Sequence, residues 1–146
     1  MTPMSGHLSA VEIYRRYNLA ENLHDSLGTM QLVATDLYVE VNGVAQVVGA
    51  VDDAAAMDEL YASYPDYQRE ILEIIAAGDR ATVLWRMKGT PTNALTGVLE
   101  PLDVRGISVV TGNGRVLTHA SLFVESTALS SVLARAKTTR DEVIEG

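Results

Sequence analysis

The sequence predicts a single α+β domain. Three observations carry this. Helical periodicity is confined to two stretches near the start, one near residue 57 and one near the end. Strand periodicity dominates from Tyr67 to Val124. The 146 residues suit one hydrophobic core, and the chain has no internal repeat, linker or low-complexity segment. Segregated helices and strands argue against an alternating α/β fold. The domain is expected to span residues 1–146, with its core over 9–136 and loose termini.

Residues 1–8 read as an arm. Ser9-Ala-Val-Glu12 has the spacing of a capping box, and Leu8 and Ile13 are placed for a hydrophobic staple. Val11, Tyr14 and Tyr17 continue that helix toward Asn22. A short second helix is expected from Asp25 or Ser26, with Leu27, Met30 and Ala34 inward. Asp36 to Gly43 is β-rich and ends in an Asn-Gly turn. Asp52 is the expected N-cap of a third helix, with Met57, Leu60, Tyr61 and Tyr64 on one face and Pro65 as its stop.

The period then changes. Tyr67–Ala76 and Ala81–Lys88 read as a hairpin across Gly78-Asp79. Gly89–Pro101, with Pro91, Asn93 and Gly97, reads as a loop. Leu102–Val110 and Val116–Val124 follow as strands around Gly112-Asn-Gly114. Ser126 is positioned to cap a last helix with Leu129, Val132, Leu133 and Ala136 on one face.

Composition narrows the function. The net charge is -8 without clustered Lys and Arg, which argues against a nucleic-acid partner. There is no cysteine, so disulfides and thiolate chemistry are excluded. No stretch approaches the ~20 apolar residues of a membrane span, and the N-terminus lacks the basic and apolar regions of a signal peptide. A cytoplasmic protein is expected. Ile107, Val109, Leu122 and Val124 fall opposite the strand positions expected to face inward. A sheet apolar on both faces implies a homodimer through its outer face, unless the last helix covers it.

Tyr64-Pro-Asp-Tyr67, then Ile74-Ile-Ala-Ala-Gly-Asp79, then Val83-Leu-Trp-Arg-Met-Lys-Gly-Thr90 resemble, in order and spacing, the SnoaL-like polyketide cyclase family. Asn22 to Asp25, Asp103-Val-Arg-Gly106 and Asn113-Gly-Arg-Val116 extend the resemblance, which runs from Ser9 to Leu133. It implies the nuclear-transport-factor-2-like fold, a cone in which a curved mixed or antiparallel sheet wraps around helices and an internal pocket. That fold hosts many functions, so function has to come from the site.

Ketosteroid isomerases are more distant relatives. Their oxyanion-donor tyrosine matches Tyr17, five residues before Asn22, and a supporting tyrosine matches Tyr61. The resemblance thus implies a buried Tyr17–Tyr61 phenol pair that polarises a carbonyl. The isomerase base falls on Val41 and its protonated acid on Gly106, so ketosteroid isomerase activity is not expected. The cyclase base near the end of the last strand falls on Val124, beside Glu125, and Pro91 stands where the family often has His. The Arg-x-Asp of epoxide hydrolases of this fold falls on Leu84–Lys88, where no acid stands.

His119 is the remaining titratable candidate. It shares a strand face with Ser121 and Phe123, a face the alignment turns into the pocket, and an imidazole is suited to proton transfer near neutral pH. The expected site is therefore catalytic Tyr17 and His119, with Tyr61, Trp85, Tyr38, Val41, Met87, Ser121 and Phe123 binding substrate. Trp85, alternating with Val83 and Met87, is expected to form a pocket wall. Tyr64 and Tyr67 are further rim donors, Arg105 points away, and His24 reads as a solvated turn residue. With His119 isolated, neither metal nor cofactor is expected. The leading expectation is a cofactor-independent cyclase or isomerase acting on an apolar oxygenated small molecule such as a polyketide intermediate. The alternative is a non-catalytic binding or oligomerisation protein of the same fold.

Overall fold

The computed structural model describes residues 7–124. The expected last helix from Ser126, Glu125 and most of the N-terminal arm lie outside the described residues. Helix α1 spans Ala10–Asn22, α2 Ser26–Met30 and α3 Ala50–Ser63. Strands are β1 (Val33–Val41), β2 (Val44–Val48), β3 (Gln68–Ala77), β4 (Arg80–Gly89), β5 (Leu102–Gly112) and β6 (Leu117–Val124). They form one six-stranded sheet in the order β2-β1-β6-β5-β4-β3. Only the β1–β6 pair is parallel; the others are antiparallel. The sheet is open at both edges, and the helices pack against its inner face, as an α+β cone requires.

Local chemistry accounts for the elements. Ser9 Oγ accepts from the Glu12 amide at 3.2 Å while Glu12 Oε1 accepts from the Ser9 amide at 3.0 Å, a complete capping box at α1. Asp25 caps α2 through the Gly28 amide. Against expectation Leu27 is 70% exposed, and Ala34 belongs to β1. Asn42 and Gly43 both have positive φ, the conformation a two-residue hairpin favours, and the chain returns as β2, which the sequence reading lacked. Only Val47 of that strand is buried, so it shows no alternation. Helix α3 starts at Ala50; Asp52 instead accepts from the Val48 amide just upstream.

Two irregularities decide which side chains point inward. In β3 the pairing with β4 skips Leu72, so Arg69, Ile71 and Ile74 turn toward the core. In β6, Gly112 faces Leu117 but Thr111 faces His119, leaving Thr118 as an extra residue. Beyond this bulge the inward set is Ala120, Leu122 and Val124, and His119, Ser121 and Phe123 face out. The expected face of β6 is thereby reversed. Leu122 lines the inner side and Val124 is buried, only bordering the outer hollow; the exposed apolar residues there are Phe123, Ile107 and Leu72.

The core runs along α1, α3 and the inner sheet face, including Ile13, Leu60, Val83 and Val110. Trp85 is fully buried, its Nε1 donating to Ser108 Oγ at 2.8 Å. Gly106 lies against the indole, where a Cβ would collide with the ring. No described helix is long and apolar enough to cross a membrane.

Candidate active site

Between α1, α3 and the sheet lies a cavity of about 80 Å³. Most of its wall is apolar, with Leu37, Val41, Met57, Leu60, Met87 and Leu122 contributing. One end is polar and carries the ionisable groups, Tyr14, Tyr17 and Glu21 of α1, Asp53 of α3 and Arg69 of β3, while Gln46 of β2 and Ser108 of β5 add neutral polar groups to the wall. By the rule that one water needs ~10–15 Å³, the cavity admits several waters or a small ligand.

The polar end is built by helical and strand spacing. Tyr14, Tyr17 and Glu21 recur at three- and four-residue intervals, so Glu21 sits on the buried stripe of α1 and is 1% exposed. Asp53 precedes Ala56, Met57 and Leu60 on the buried face of α3 and is 4% exposed. Arg69 is the first inward residue of β3 and is 5% exposed.

Arg69 Nη2 contacts Glu21 Oε1 directly, a buried ion pair. Asn18 and Asn22 fix the arginine from α1. Asn18 Oδ1 accepts from Arg69 Nε at 3.0 Å and Asn22 Oδ1 from the Arg69 amide at 2.7 Å. Both asparagine amides donate to the Arg69 carbonyl. The guanidinium also lies 5.3 Å from the Tyr14 ring centre and 5.8 Å from that of Tyr17, within cation–π range.

Burial dominates the electrostatics. It pushes the Glu21 carboxyl up to about 7; Arg69 pulls the other way and Asp53 adds to the rise. Burial likewise raises the Tyr14 phenol to about 12 and carries Tyr17 well above its usual value, with Asp53 and Glu21 reinforcing the latter. Burial opposes the charge on Arg69, but Glu21 and the surrounding phenols more than offset it, so the guanidinium stays ionised. A carboxyl that exchanges its proton near neutral pH inside an apolar cavity is equipped for acid–base work.

The expected site residues divide three ways. Tyr17, Val41 and Met87 line the cavity. Tyr17 Oη donates to Asp53 Oδ2 at 2.9 Å, so its proton goes to a carboxylate rather than to the expected carbonyl, and Tyr61 is not its partner. Tyr61 and Trp85 are not cavity-lining. Tyr61 stacks on His24 at 4.2 Å, and its buried hydroxyl has no hydrogen-bond partner among the described residues. Trp85 acts on the cavity through Ser108, which lines it.

Tyr38, His119, Ser121 and Phe123 stand on the outer face, the three β6 residues turned there by the bulge and Tyr38 by its alternation with the inward Leu37 and Val39. There His119 Nδ1 meets Thr118 Oγ1 at 3.0 Å and Ser121 donates to Glu40. His24 is not a solvated turn residue: its Nε2 meets the Tyr67 carbonyl at 2.9 Å. Tyr64 and Tyr67 are wholly buried rather than at a rim. Arg86 does have an acid partner, Asp103, but on the outer face. Arg105 faces out as expected. Among the described residues no cluster could hold a metal ion.

Glu21, Asp53 and Arg69 were missed by the sequence reading. The available signal was a charged residue in phase with the apolar stripe of its own element, as Glu21 is with Tyr14 and Tyr17.

The comparisons with known proteins agree with this architecture. The family model described as the SnoaL-like domain matches residues 14–123. A proposed SnoaL-like polyketide cyclase from Jannaschia sp. CCS1 superposes with a TM-score of 0.70 at 15% identity, covering 91% of this chain and 96% of that one. A proposed ketosteroid isomerase from Kribbella flavida DSM 17836 gives 0.64 at 17% identity, over 86% and 84% of the two chains. An NTF2-like protein of unknown function from Cytophaga hutchinsonii ATCC 33406 gives 0.66 at 6% identity, over 87% and 99%. At these identities the structural likeness establishes the fold alone. Among curated proteins no match is found. With the family model covering most of the chain and the fold in agreement, this protein belongs to the SnoaL-like domain family.

Proposed function

We propose that the protein is a cofactor-independent enzyme of the cyclase or isomerase type, acting in the cytoplasm on a small, largely apolar molecule that carries a carbonyl group, such as a polyketide-type intermediate. The observation that supports this reading is Glu21: a buried carboxyl, raised to about 7, at the polar end of an otherwise apolar cavity and in contact with Arg69.

In this reading the ionised Glu21 removes a proton from the carbon next to the substrate carbonyl. The electron pair moves onto the oxygen, and the enolate is stabilised by the Arg69 guanidinium. Protonated Glu21 then returns the proton to another carbon, which completes an isomerisation. In a cyclisation the enolate carbon attacks a second carbonyl, and Glu21 protonates the new alkoxide. Tyr17 holds Asp53 by its hydrogen bond and is a positioning residue, and Asn18 positions Arg69. The snug apolar wall adds an entropic contribution by holding one conformer.

The test is α-proton exchange. Small apolar ketones and β-keto esters in D₂O are expected to gain deuterium beside the carbonyl when the protein is present, and Glu21→Gln is expected to lose that effect at least a hundredfold. Exchange that is absent across the panel, or unchanged in the Glu21→Gln variant, contradicts the reading. A second reading, a non-catalytic binder, is favoured by one observation: Glu21 is already engaged by Arg69. It predicts a ligand that binds and is recovered without exchange.

We also propose that the protein dimerises through the outer sheet face. Leu72, Ile107 and Phe123 border one hollow there and Ile75 is also exposed, and apolar surface of this kind favours association. Sedimentation is expected to show a dimer that Phe123→Glu weakens; a monomer at all concentrations contradicts it.

A further inference from the structure

The polar end of the cavity has a feature that enolisation alone does not use. Arg69 is a permanent cation with its guanidinium in the cavity wall, and Glu21 occupies it from one side. The groups facing Glu21 are Tyr14 and Tyr17 on its own helix, Asp53 and Tyr61 from α3, Arg69 from β3 and Tyr67 just before that strand. Among these one is a cation and one other is a carboxyl. An anionic ligand that reaches Arg69 therefore meets one carboxyl group already on the guanidinium and another on Asp53. Like charges so close in a dry site are strongly disfavoured, and the least costly relief is a proton.

We propose that the cavity binds small apolar monocarboxylates, with the ligand carboxylate taking its place on Arg69 while Glu21 takes up one proton. The inference rests on the reading that this cavity is the ligand site and goes beyond it in naming a ligand class and a coupling. The charge arrangement is the one an enolate would create, with anionic oxygen on Arg69 and the proton on Glu21. A monocarboxylate is then a stable mimic of that intermediate. The apolar remainder of the wall, Leu37, Val41 and Met57 among others, takes the hydrocarbon part.

The position of Glu21 near 7 supports the direction of the coupling. Hexanoate stays ionised from pH 6 to pH 8, because ordinary carboxyls titrate near 4. The receptive state, with Glu21 protonated, predominates at pH 6 and is scarce at pH 8. Affinity is therefore expected to fall about tenfold across that range.

The experiment is calorimetry with hexanoate, repeated in two buffers of different ionisation enthalpy, with hexanamide as the neutral control. Expected are uptake of about one proton per hexanoate at pH 8, weaker binding at pH 8 than at pH 6, and no such pH dependence for hexanamide. Glu21→Gln is expected to bind hexanoate independently of pH. The buffer comparison on the unaltered protein stands even if that variant misfolds. Hexanoate binding without proton uptake, affinity that rises with pH, or no binding of hexanoate at all overturns the inference. Failure here with α-exchange intact leaves the catalytic reading standing. Proton-coupled binding without exchange removes catalysis and keeps the coupling.

Discussion

Glu21, Asp53 and Arg69 are each more than nine-tenths buried, and their energetics follow from that. A buried ion pair is a poor source of stability, but losing one partner strands the other. Arg69→Met is expected to cost about 3 kcal/mol at pH 8, where Glu21, its carboxyl pushed further up once the guanidinium is gone, must hold a proton against the solution or stand as an unpaired buried anion. The loss is expected to shrink at pH 5, where Glu21 can be protonated. The double variant Glu21→Gln/Arg69→Met is expected to be more stable than Arg69→Met alone at pH 8. Urea titrations at both pH values check this; equal losses at both would mean that the pair is not coupled to a proton. Glu21 was legible in outline, in phase with Tyr14 and Tyr17 on an amphipathic helix. It was overlooked because a charged residue near a helix end is ordinarily solvated, and nothing local in α1 shows that Arg69 will arrive opposite it from another element.

Among the elements, the capping box at Ser9, the stop at Pro65 and the Gly78-Asp79 hairpin turn were readable because each depends on neighbours in sequence. The face of β6 was not. It depends on one unpaired residue, Thr118, and a single insertion reverses every side chain after it. That is why His119, Ser121 and Phe123 were expected in the cavity and Ala120 and Leu122 line it. The β3 bulge at Leu72 is of the same kind. Alternation in sequence does not mark where a ladder skips, because the skip is set by pairing with another strand. Gly106 shows the converse, a residue whose need is visible only in packing. Gly106→Ala is expected to destabilise by about 1–3 kcal/mol through its collision with Trp85, measured by thermal or denaturant unfolding. An unchanged midpoint would mean that the indole can shift and that Trp85 does not fix the β4–β5 wall.

For the whole molecule, the fold follows from helices confined to one side of an open mixed sheet, and it was legible from element order together with the family resemblance. The cavity chemistry was not, because it is assembled from α1, α3 and β3, separated by long stretches of chain. This assembly leaves a signature in stability. Glu21 is protonated more readily in the folded state than in the unfolded one, where its value is ordinary. The folded chain therefore holds the extra proton between about 4.5 and 7, and stability falls as pH rises through that window, then levels off. The lowered carboxyls of Glu12, Asp66 and Asp103 act the opposite way, but only in more acid solution. The unfolding midpoint is expected to decline between pH 5 and 7 in the native protein and to stay flatter in Glu21→Gln.

The proton on Glu21 underlies the proposed catalysis, the ligand coupling and this pH dependence alike. Carbon-13 NMR of the glutamate side-chain carboxyls, with Glu21 assigned by its absence in Glu21→Gln, follows that proton directly. A titration midpoint near 7 is the predicted result. A midpoint at or below the ordinary glutamate value near 4.3 would contradict the account, because Glu21 would then be a permanent anion locked to Arg69.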